Sequence, residues 1–399
     1  HSDDEVPSIA IIPLKNKGDN KDIFYAYGIS TDIIKDCIGA GLVRVESLDR
    51  IEKIENYDKL DIIELAAKLS VRYIATGTLW KMDDMFQLSI ELYDTKNSKL
   101  IWSDRWQENW ENLSTITFRL SESLLNSLNI EIQYTDKYVK PESYEYCLQA
   151  QYKIIKAKSN EEFLIIKDLL ERAIKIDNNN IEAKISLGIW YVMQNKTDMA
   201  QEMILKTLQQ SKKLNNQLGI GSSLHVLGNI CIQRNNYDEA IEKYKESFNI
   251  YKESNNIEET ACSLTMLGRC YTRKFQLDKA FKNLTMAYEI KKDMDDKYHN
   301  SVMLVSMGDV CVEKGELDEG LGYYKEALVL ENEIDNFRGS TITLMRIAYC
   351  YYYIGKYEEA LKNYERSYAM QQNIKDFYKN WWTPIWLQLA RKKAGKQYD

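Results

Sequence analysis

Small residues recur along this sequence at a fixed spacing of 40 residues, and this spacing limits what the chain can fold into. Two such columns, 12 residues apart, run through the second half of the chain. A period of about 20–50 residues is typical of solenoids, in which each unit is too small to bury its own apolar face and stacks on its neighbours. The first column is Gly188, Gly228, Gly268, Gly308 and Ala348, and the second is Ala200, Ala240, Ala280, Gly320 and Ala360.

The residues around the two columns predict a pair of helices in each unit. Large residues such as Ile204, Tyr244 and Tyr364 follow the second column at helical spacing. A polar or Gly-containing turn separates the two helices, and an acidic residue such as Asp238 begins the second helix, which suits the helix dipole. The pattern resembles the tetratricopeptide repeat, in a lengthened form of about 40 residues rather than about 34.

The whole chain is predicted to contain four segments. An α/β domain covers residues 1–135, a linker covers 136–142, six repeats cover 143–378, and a capping helix with a tail covers 379–399. The boundary is placed near Pro141, because proline is tolerated at the edges of helices and not in their interior. The first repeat fits the register less well than the others, but its second helix carries the expected apolar stripe.

Before the repeats, short apolar runs alternate with helical patterns. Their order is β-α-β-α-β-β-β-α, which predicts a mixed sheet whose last three strands form a meander. The predicted fold class is therefore an α/β amino-terminal domain followed by an all-α tetratricopeptide superhelix. The predicted strands cover residues 8–12, 42–45, 71–79, 85–93 and 99–106, and the predicted helices cover 23–40, 62–69 and 113–128.

Short strings spread over residues 7–132 carry a second resemblance. They are SIAIIPLKN at 8–16, FYAYGISTD at 24–32, LSVRYIATGT at 69–78, and LYDT at 92–95 followed by LIW at 100–102. In order and spacing they resemble the TolB amino-terminal-like domain of bacterial signalling proteins. The resemblance implies following tetratricopeptide repeats and a preceding class III adenylate or guanylate cyclase domain or winged-helix DNA-binding domain. The sequence starts with His1 rather than Met, and we expect the native protein to extend beyond it.

The residue pattern predicts no catalytic site, metal site or cofactor. The amino-terminal glycines form neither a dinucleotide-binding fingerprint nor a phosphate-binding loop. Asp32 and Asp36 share a helix face without a nucleophile or His beside them, which favours a solvated face over acid–base chemistry. Seven Cys without a CxxC pair and three His support neither a zinc site nor a disulfide framework. We therefore expect a non-enzymatic protein in a reducing compartment, the cytoplasm.

The distribution of charge argues against nucleic-acid binding by this chain. Residues 1–135 hold 15 Lys and Arg against 23 Asp and Glu, and residues 136–399 hold 38 against 37. Neither part offers the cationic stripe that releases counterions from phosphates. No stretch reaches the roughly 18 apolar residues that a membrane-spanning helix requires. Protein or peptide is the partner class that remains.

The first helices of the repeats are predicted to line a concave groove that binds this partner. In tetratricopeptide proteins, the positions one and five residues after the first small column face the groove. Successive repeats then present amide, cationic, anionic and aromatic side chains to an extended ligand. Alternatively, Arg273 pairs with Asp309 or Glu313, and these charges only satisfy each other. The predicted groove residues are Asn229, Gln233, Arg269, Arg273, Asp309, Glu313, Tyr349 and Tyr353.

Two functions of different classes fit these observations. The first is a non-catalytic regulatory or scaffold module of a bacterial signalling protein, with its partner in the groove. The second is the sensor part of a class III nucleotide cyclase or winged-helix regulator whose output domain lies outside this sequence. A third candidate is a small-molecule sensor with its site at the seam near Pro141. The aromatic residues Trp381, Trp382 and Trp386 either form an exposed patch or seal the last repeat.

Overall fold

The chain forms two compact units, residues 1–260 and residues 261–399. The first unit contains a sheet, the helices that cover it and the first helices of the repeat region, whereas the described part of the second unit is helical. The computed structural model describes residues 7–40, 43–46, 48–130, 139–156, 160–254, 256–292, 297–334, 336–373 and 382–395.

The first unit begins with a sheet of six strands, counted over the described residues. They are β1 (Ser8–Ile11), β2 (Lys15–Asn16), β3 (Arg44–Val45), β4 (Tyr73–Met82), β5 (Met85–Asp94) and β6 (Lys99–Asn109). The order along the sheet is β3-β1-β4-β5-β6, and β2 pairs with β4. β1 runs parallel to β3 and β4, whereas β4, β5 and β6 form the predicted antiparallel meander.

Helices lie on both faces of this sheet. They are α1 (Ile23–Gly39), α2 (Leu48–Lys53), α3 (Ile62–Leu69) and α4 (Leu113–Ser127). Alternate residues of β5 are buried, and Phe86 and Ile90 on that face pack in one cluster with α1 and α4. On the other face, Ala10 and Ile74 pack with α2 and α3. The predicted mixed α/β fold is confirmed; β2 and α2 were not predicted, because they are too short to show a period.

Six further helices of the first unit follow one another in three pairs. They are α5 (Pro141–Lys156), α6 (Asn160–Ile176), α7 (Ile181–Met193), α8 (Thr197–Lys213), α9 (Gln217–Gln233) and α10 (Tyr237–Glu253). A Cβ built on Gly188 would lie 2.4 Å from Ile204 Cδ1, and one built on Gly228 would lie 2.7 Å from the Tyr244 ring. The first column is small because a large side chain of the second helix occupies the space, as the spacing predicts.

The second unit continues the same arrangement. The boundary at residue 261 falls within α11 (Ile257–Arg273), most of which belongs to the second unit. The helices that follow are α12 (Leu277–Lys291), α13 (Lys297–Lys314), α14 (Leu317–Glu333), α15 (Phe337–Ile354), α16 (Tyr357–Asn373) and α17 (Trp382–Lys393). α17 is the predicted capping helix, while residues 374–381 and 396–399 lie outside the described chain. None of the helices in the described ranges has the length and apolarity needed to cross a membrane.

A residue with left-handed backbone follows each first helix from α7 onward. Asn and Gly tolerate this conformation, and they occupy five of the six positions. Phe275 is the exception: its φ is 55°, which strains a bulky residue, and its side chain is 72% exposed. The six residues are Asn195, Asn235, Phe275, Gly315, Gly355 and Gly395.

The start of the repeat region packs into the core of the α/β part. α5 begins at Pro141, and its residues Tyr144 and Leu148 belong to the same buried cluster as α1, α4 and the inner face of the sheet. A Cβ built on Gly28 of α1 would lie 2.6 Å from Leu148 Cδ2, so the two helices touch at this point. Part of the predicted linker 136–142 lies outside the described residues, and the division at that point stays a prediction.

Candidate functional site

A cavity of about 310 Å³ opens in the second unit among the five helices α13 to α17. Two of the predicted groove residues, Asp309 and Tyr349, line it. A pocket of this size accommodates a small ligand or one large side chain of a partner. We call it the groove cavity; its lining residues are Asp309, Val312, Tyr324, Ile342, Met345, Arg346, Tyr349, Tyr364 and Trp386.

An ion pair forms the polar wall of the groove cavity. Arg346 Nε lies 2.7 Å from Asp309 Oδ1, and Arg346 Nη2 lies 3.2 Å from Oδ2, so the guanidinium binds both carboxylate oxygens. The hydroxyl of Tyr324 donates to Asp309 Oδ1 at 2.6 Å. Burial, and after it the Asp309 carboxylate, raises the pKa of Tyr324 well above its ordinary value, which keeps this donor protonated. The partner of Asp309 is therefore Arg346 and not Arg273, which the alternative prediction had named.

Aromatic rings form the opposite wall. The ring centroids of Tyr349 and Trp386 lie 5.7 Å apart at an interplanar angle of 73°, and those of Tyr349 and Tyr353 lie 4.6 Å apart. Trp386 also stacks on Tyr364, with centroids 6.5 Å apart and an angle of 13°. Trp386 thus seals the last pair of helices, as one of the two predictions held. Trp381 and the side chain of Trp382 lie outside the described residues.

The other cationic and anionic groove residues of the second unit are exposed. Arg269 and Arg273 form no ion pair with another described residue, and the described contact of Arg269 is with Met266 Sδ at 3.8 Å. Glu313 is also exposed. These three side chains lie at the surface and are available to a ligand, but no observation tests their predicted role.

The two groove residues of the first unit already have partners inside the chain. Asn229 Oδ1 accepts a hydrogen bond from the hydroxyl of Tyr244 at 2.6 Å. Gln233 Nε2 donates to the backbone oxygen of Val192 at 3.0 Å. Asn229 is half-buried and Gln233 is exposed. Their amides therefore serve packing between helices, and their predicted contact with a ligand stays a prediction.

A hydrogen-bonded cluster joins α1 to the repeat helices of the first unit. The hydroxyl of Tyr144 donates to the Asp32 carboxylate and lies 2.9 Å from Thr117 Oγ1. Lys35 Nζ lies 3.5 Å from Asp32 Oδ1 and 3.1 Å from Glu182 Oε1. The prediction of a solvated face is wrong for Asp32, which is 9% exposed, because α5 packs over α1 and covers it.

The pKa of Asp32 leads to an expected pH dependence of stability. Burial raises this pKa from 3.8 to about 6, although Lys35 opposes the rise, while Glu182 and Asp36 add to it. Folding therefore favours the protonated carboxyl. Its stabilising contribution is present below the ordinary pKa and is lost as the pH rises through 6, on the order of 3 kcal/mol in total.

Asp32→Asn should remove this pH dependence, because an amide does not titrate. We expect the variant to gain stability relative to the wild type as the pH rises from about 4 to about 7. Urea unfolding at several pH values measures the difference in the free energy of unfolding. The exposed Asp58 provides the control, since Asp58→Asn should leave the profile unchanged. Parallel profiles for Asp32→Asn and the wild type would contradict the buried, raised pKa.

One group of metal-ligand side chains occurs in the second unit. Cys311 Sγ and carboxylate oxygens of Glu316 and Glu319 lie within 4.8 Å of one another. Burial raises the pKa of the Cys311 thiol to about 11. The thiol is therefore protonated at neutral pH, whereas the thiolate is the form that binds metal ions. Both acids stand at the start of α14, where they suit the helix dipole.

A family model of the tetratricopeptide repeat matches residues 180–253, 219–293 and 300–373. The chain carries tetratricopeptide repeats. The match extends from the start of α7 to the end of α16, so it confirms the family predicted from the two columns. It does not reach the sheet, and the resemblance of residues 7–132 to the TolB amino-terminal-like domain stays a prediction. No curated protein matches the sequence.

One of three similar solved structures has a TM-score above 0.5. A signal transduction ATPase with numerous domains and a tetratricopeptide repeat sensor, from Pyrococcus horikoshii, matches with a TM-score of 0.54 and 16% identity, over 72% of this chain and 43% of that one. The apo form of RapI matches with a TM-score of 0.46 and 15% identity, over 64% of this chain and 100% of that one. BtubC from P. vanneervenii matches with a TM-score of 0.45 and 13% identity, over 61% of this chain and 95% of that one. At these identities the likeness concerns the fold alone.

Proposed function

We propose that the chain is a non-catalytic regulatory or scaffold module that binds a protein or peptide along the first helices of its repeats. The groove cavity carries this proposal, because its wall contains Asp309 and Tyr349, which the repeat register selects from sequence alone. Tetratricopeptide repeats are typically scaffolds of this kind. The expected complex places one large side chain of the partner in the groove cavity.

The surface chemistry of the second unit suits a peptide with mixed side chains. Arg269 and Arg273 are exposed, so each can bind a carboxylate of the partner. Tyr353 is 53% exposed, and with Tyr349 it offers rigid aromatic area at a low cost in conformational entropy. Asp309 and Arg346 neutralise each other, so the groove cavity itself favours an uncharged side chain.

Charge reversal at the two exposed arginines tests the proposal. Peptides that bind the full chain would first be selected from a random library, and their affinity measured by fluorescence polarisation. We expect Arg269→Glu combined with Arg273→Glu to weaken binding of acidic selected peptides at least about ten-fold, because hot-spot arginines dominate such interfaces. The melting temperature should change little, since both side chains are exposed.

A matched control separates a groove effect from a change in net charge. Lys282 and Lys362 lie exposed on the second helices α12 and α16, and reversing both gives the same change in charge. This control should bind the selected peptides as the wild type does. Equal binding by the wild type and the double arginine variant would remove Arg269 and Arg273 from the site.

The resemblance of residues 7–132 favours a second candidate function, the sensor part of a class III nucleotide cyclase or winged-helix regulator. In that case the groove controls an output domain encoded upstream of His1. Sequencing the gene on that side tests this directly, and residues 1–399 alone should show no cyclase activity. We also propose a cytoplasmic location, since all seven Cys are free thiols.

A further inference from the structure

A second cavity, of about 510 Å³, lies in the first unit beside the contact between α1 and α5. Its walls come from the short 3₁₀ helix Asn20–Asp22, the start of α1, the end of β4, Asp84, Trp110, and the half-buried Glu145 and Gln149 of α5. Three aromatic residues, Phe24, Tyr25 and Trp110, line it together with charged side chains. We call it the α1–α5 cavity. None of the predicted groove residues belongs to it.

Asp22 is the unusual member of this lining. It is only 8% exposed, yet its carboxylate forms no hydrogen bond or ion pair with any described residue. It stands at the N-cap position of α1 without making a side-chain capping bond. The oxygens of this carboxylate are reached from the cavity that Asp22 lines. The carboxylate can therefore pair with a cation that enters the cavity.

A second carboxylate of the lining is already engaged. Glu145 of α5 accepts a hydrogen bond from Trp110 Nε1 at 3.0 Å and another from Gln149 Nε2 at 3.2 Å. Burial, and after it Glu145, raises the pKa of Tyr25 well above its ordinary value, so Tyr25 stays neutral. The lining holds three carboxylates, Asp22, Asp84 and Glu145, and two lysines, Lys21 and Lys81. It is therefore net anionic as well as aromatic, with Asp22 as an open acceptor.

Lys81 provides a cation at the rim. Its Nζ donates to the backbone oxygen of Asp83 at 3.0 Å and lies 5.8 Å from the centre of the Tyr25 ring. Two of its three N–H donors are left for a ligand or for water. A ligand that carries both a cationic nitrogen and a carboxylate can thus pair with Asp22 and Lys81, which line the same cavity.

We propose that the α1–α5 cavity binds a small amine whose cationic nitrogen pairs with Asp22 beside the rings of Phe24, Tyr25 and Trp110. A carboxylate is the natural partner of an ammonium group, and aromatic faces attract the same cation. Simple amines and free amino acids share this nitrogen, and they differ in whether they also reach Lys81. Since α1 and α5 both supply the lining, the amine would contact the α/β part and the first repeat helix at once.

Calorimetric titration of the full chain at neutral pH tests the proposal with three probes that share a phenylethyl group. They are 2-phenylethylamine, L-phenylalanine and 3-phenylpropionate. We expect both amines to bind and 3-phenylpropionate, which has no cation, to give no heat. Asp22→Asn should weaken both amines about ten-fold or more, since it removes the charge and keeps the shape. Asp104→Asn, an exposed change on β6, should leave binding unchanged.

The comparison between the two amines identifies the ligand class. If phenylalanine binds more tightly than 2-phenylethylamine, and Lys81→Met removes this difference, the ligand is an amino acid. Equal affinities for the two probes would indicate a simple amine. Glu145→Gln is the second variant, because it weakens the anionic end without touching Asp22. Binding of the anion as tight as that of the amines, or amine affinity unchanged in both carboxylate variants, would overturn the proposal. So would the absence of amine binding at millimolar concentration, a result that leaves the peptide-binding proposal standing.

Discussion

Gly77→Ala is expected to lower the free energy of unfolding of the first unit by about 3 kcal/mol or more. Gly77 lies in β4 opposite Ile90 of β5, and a Cβ added to it would lie 2.2 Å from the backbone oxygen of Ser89. It would also lie 2.5 Å from Leu14 Cδ2. A leucine methyl can turn away, but a backbone oxygen moves only if β4 and β5 separate. Urea unfolding, with hydrogen exchange of the β4 and β5 amides, measures the loss.

Thr78→Ala is the matched control, because Thr78 is the next residue of β4 and contacts the same residue of β5. Its Oγ1 lies 2.8 Å from Ser89 Oγ, and losing this half-buried hydrogen bond should cost about 1 kcal/mol. Similar losses in the two variants would show that the β4–β5 pairing tolerates a side chain at position 77, against the expectation from the strand geometry.

The parts of the fold that could be predicted are those in which one spacing recurs. The 40-residue register located the helix pairs, and the contact of Gly188 with Ile204 shows the physical cause of the register. The strands of the meander were found by their alternation, as in β5. β2 and α2 span two and six residues, so no period could reveal them.

The site was predicted less completely, because pairing between helices depends on side-chain reach and not on spacing. The register selected Asp309 and Tyr349, but it missed Arg346, two positions before the first column. The corresponding positions in the two preceding repeats hold the uncharged residues Met266 and Ser306. The change to a charged residue at Arg346 was therefore the one sign in the sequence that this position belongs to the site.

Burial of the amino-terminal carboxylates was equally hidden from the sequence. Asp32 lies 112 residues before Tyr144, its hydrogen-bond donor, and neither residue carries a local sign of that contact. Asp22 likewise lines a cavity to which α5 contributes Glu145 and Gln149. A helical pattern predicts which residues share a face, but it does not say which distant helix covers that face.

Leu148→Ala is expected to destabilise the α/β part and the first helix pair together, by about 4 kcal/mol. Leu148 is fully buried, and its side chain fills the space that Gly28 leaves on α1. Leucine-to-alanine changes in cores cost about 2–5 kcal/mol, and the cost is high where neighbours cannot collapse into the cavity. Gly28, the neighbour on α1, has no side chain that could fill the cavity left by Leu148→Ala. Urea unfolding measures the total loss in the free energy of unfolding. Hydrogen exchange of the α1 and α5 amides shows which of the two helices loses protection.

Two further variants decide whether the loss comes from the contact between α1 and α5. Ile154 lies on the same helix with 47% exposure, so Ile154→Ala should cost about 1 kcal/mol or less. Gly28→Ala should be unfavourable in the wild type, where its Cβ meets Leu148, and favourable in Leu148→Ala, where it refills part of the cavity. Additive effects of the two changes, or lost protection in α5 with α1 unaffected, would mean that α5 is not part of the α/β core. A coupled loss instead means that α5 belongs to the α/β core.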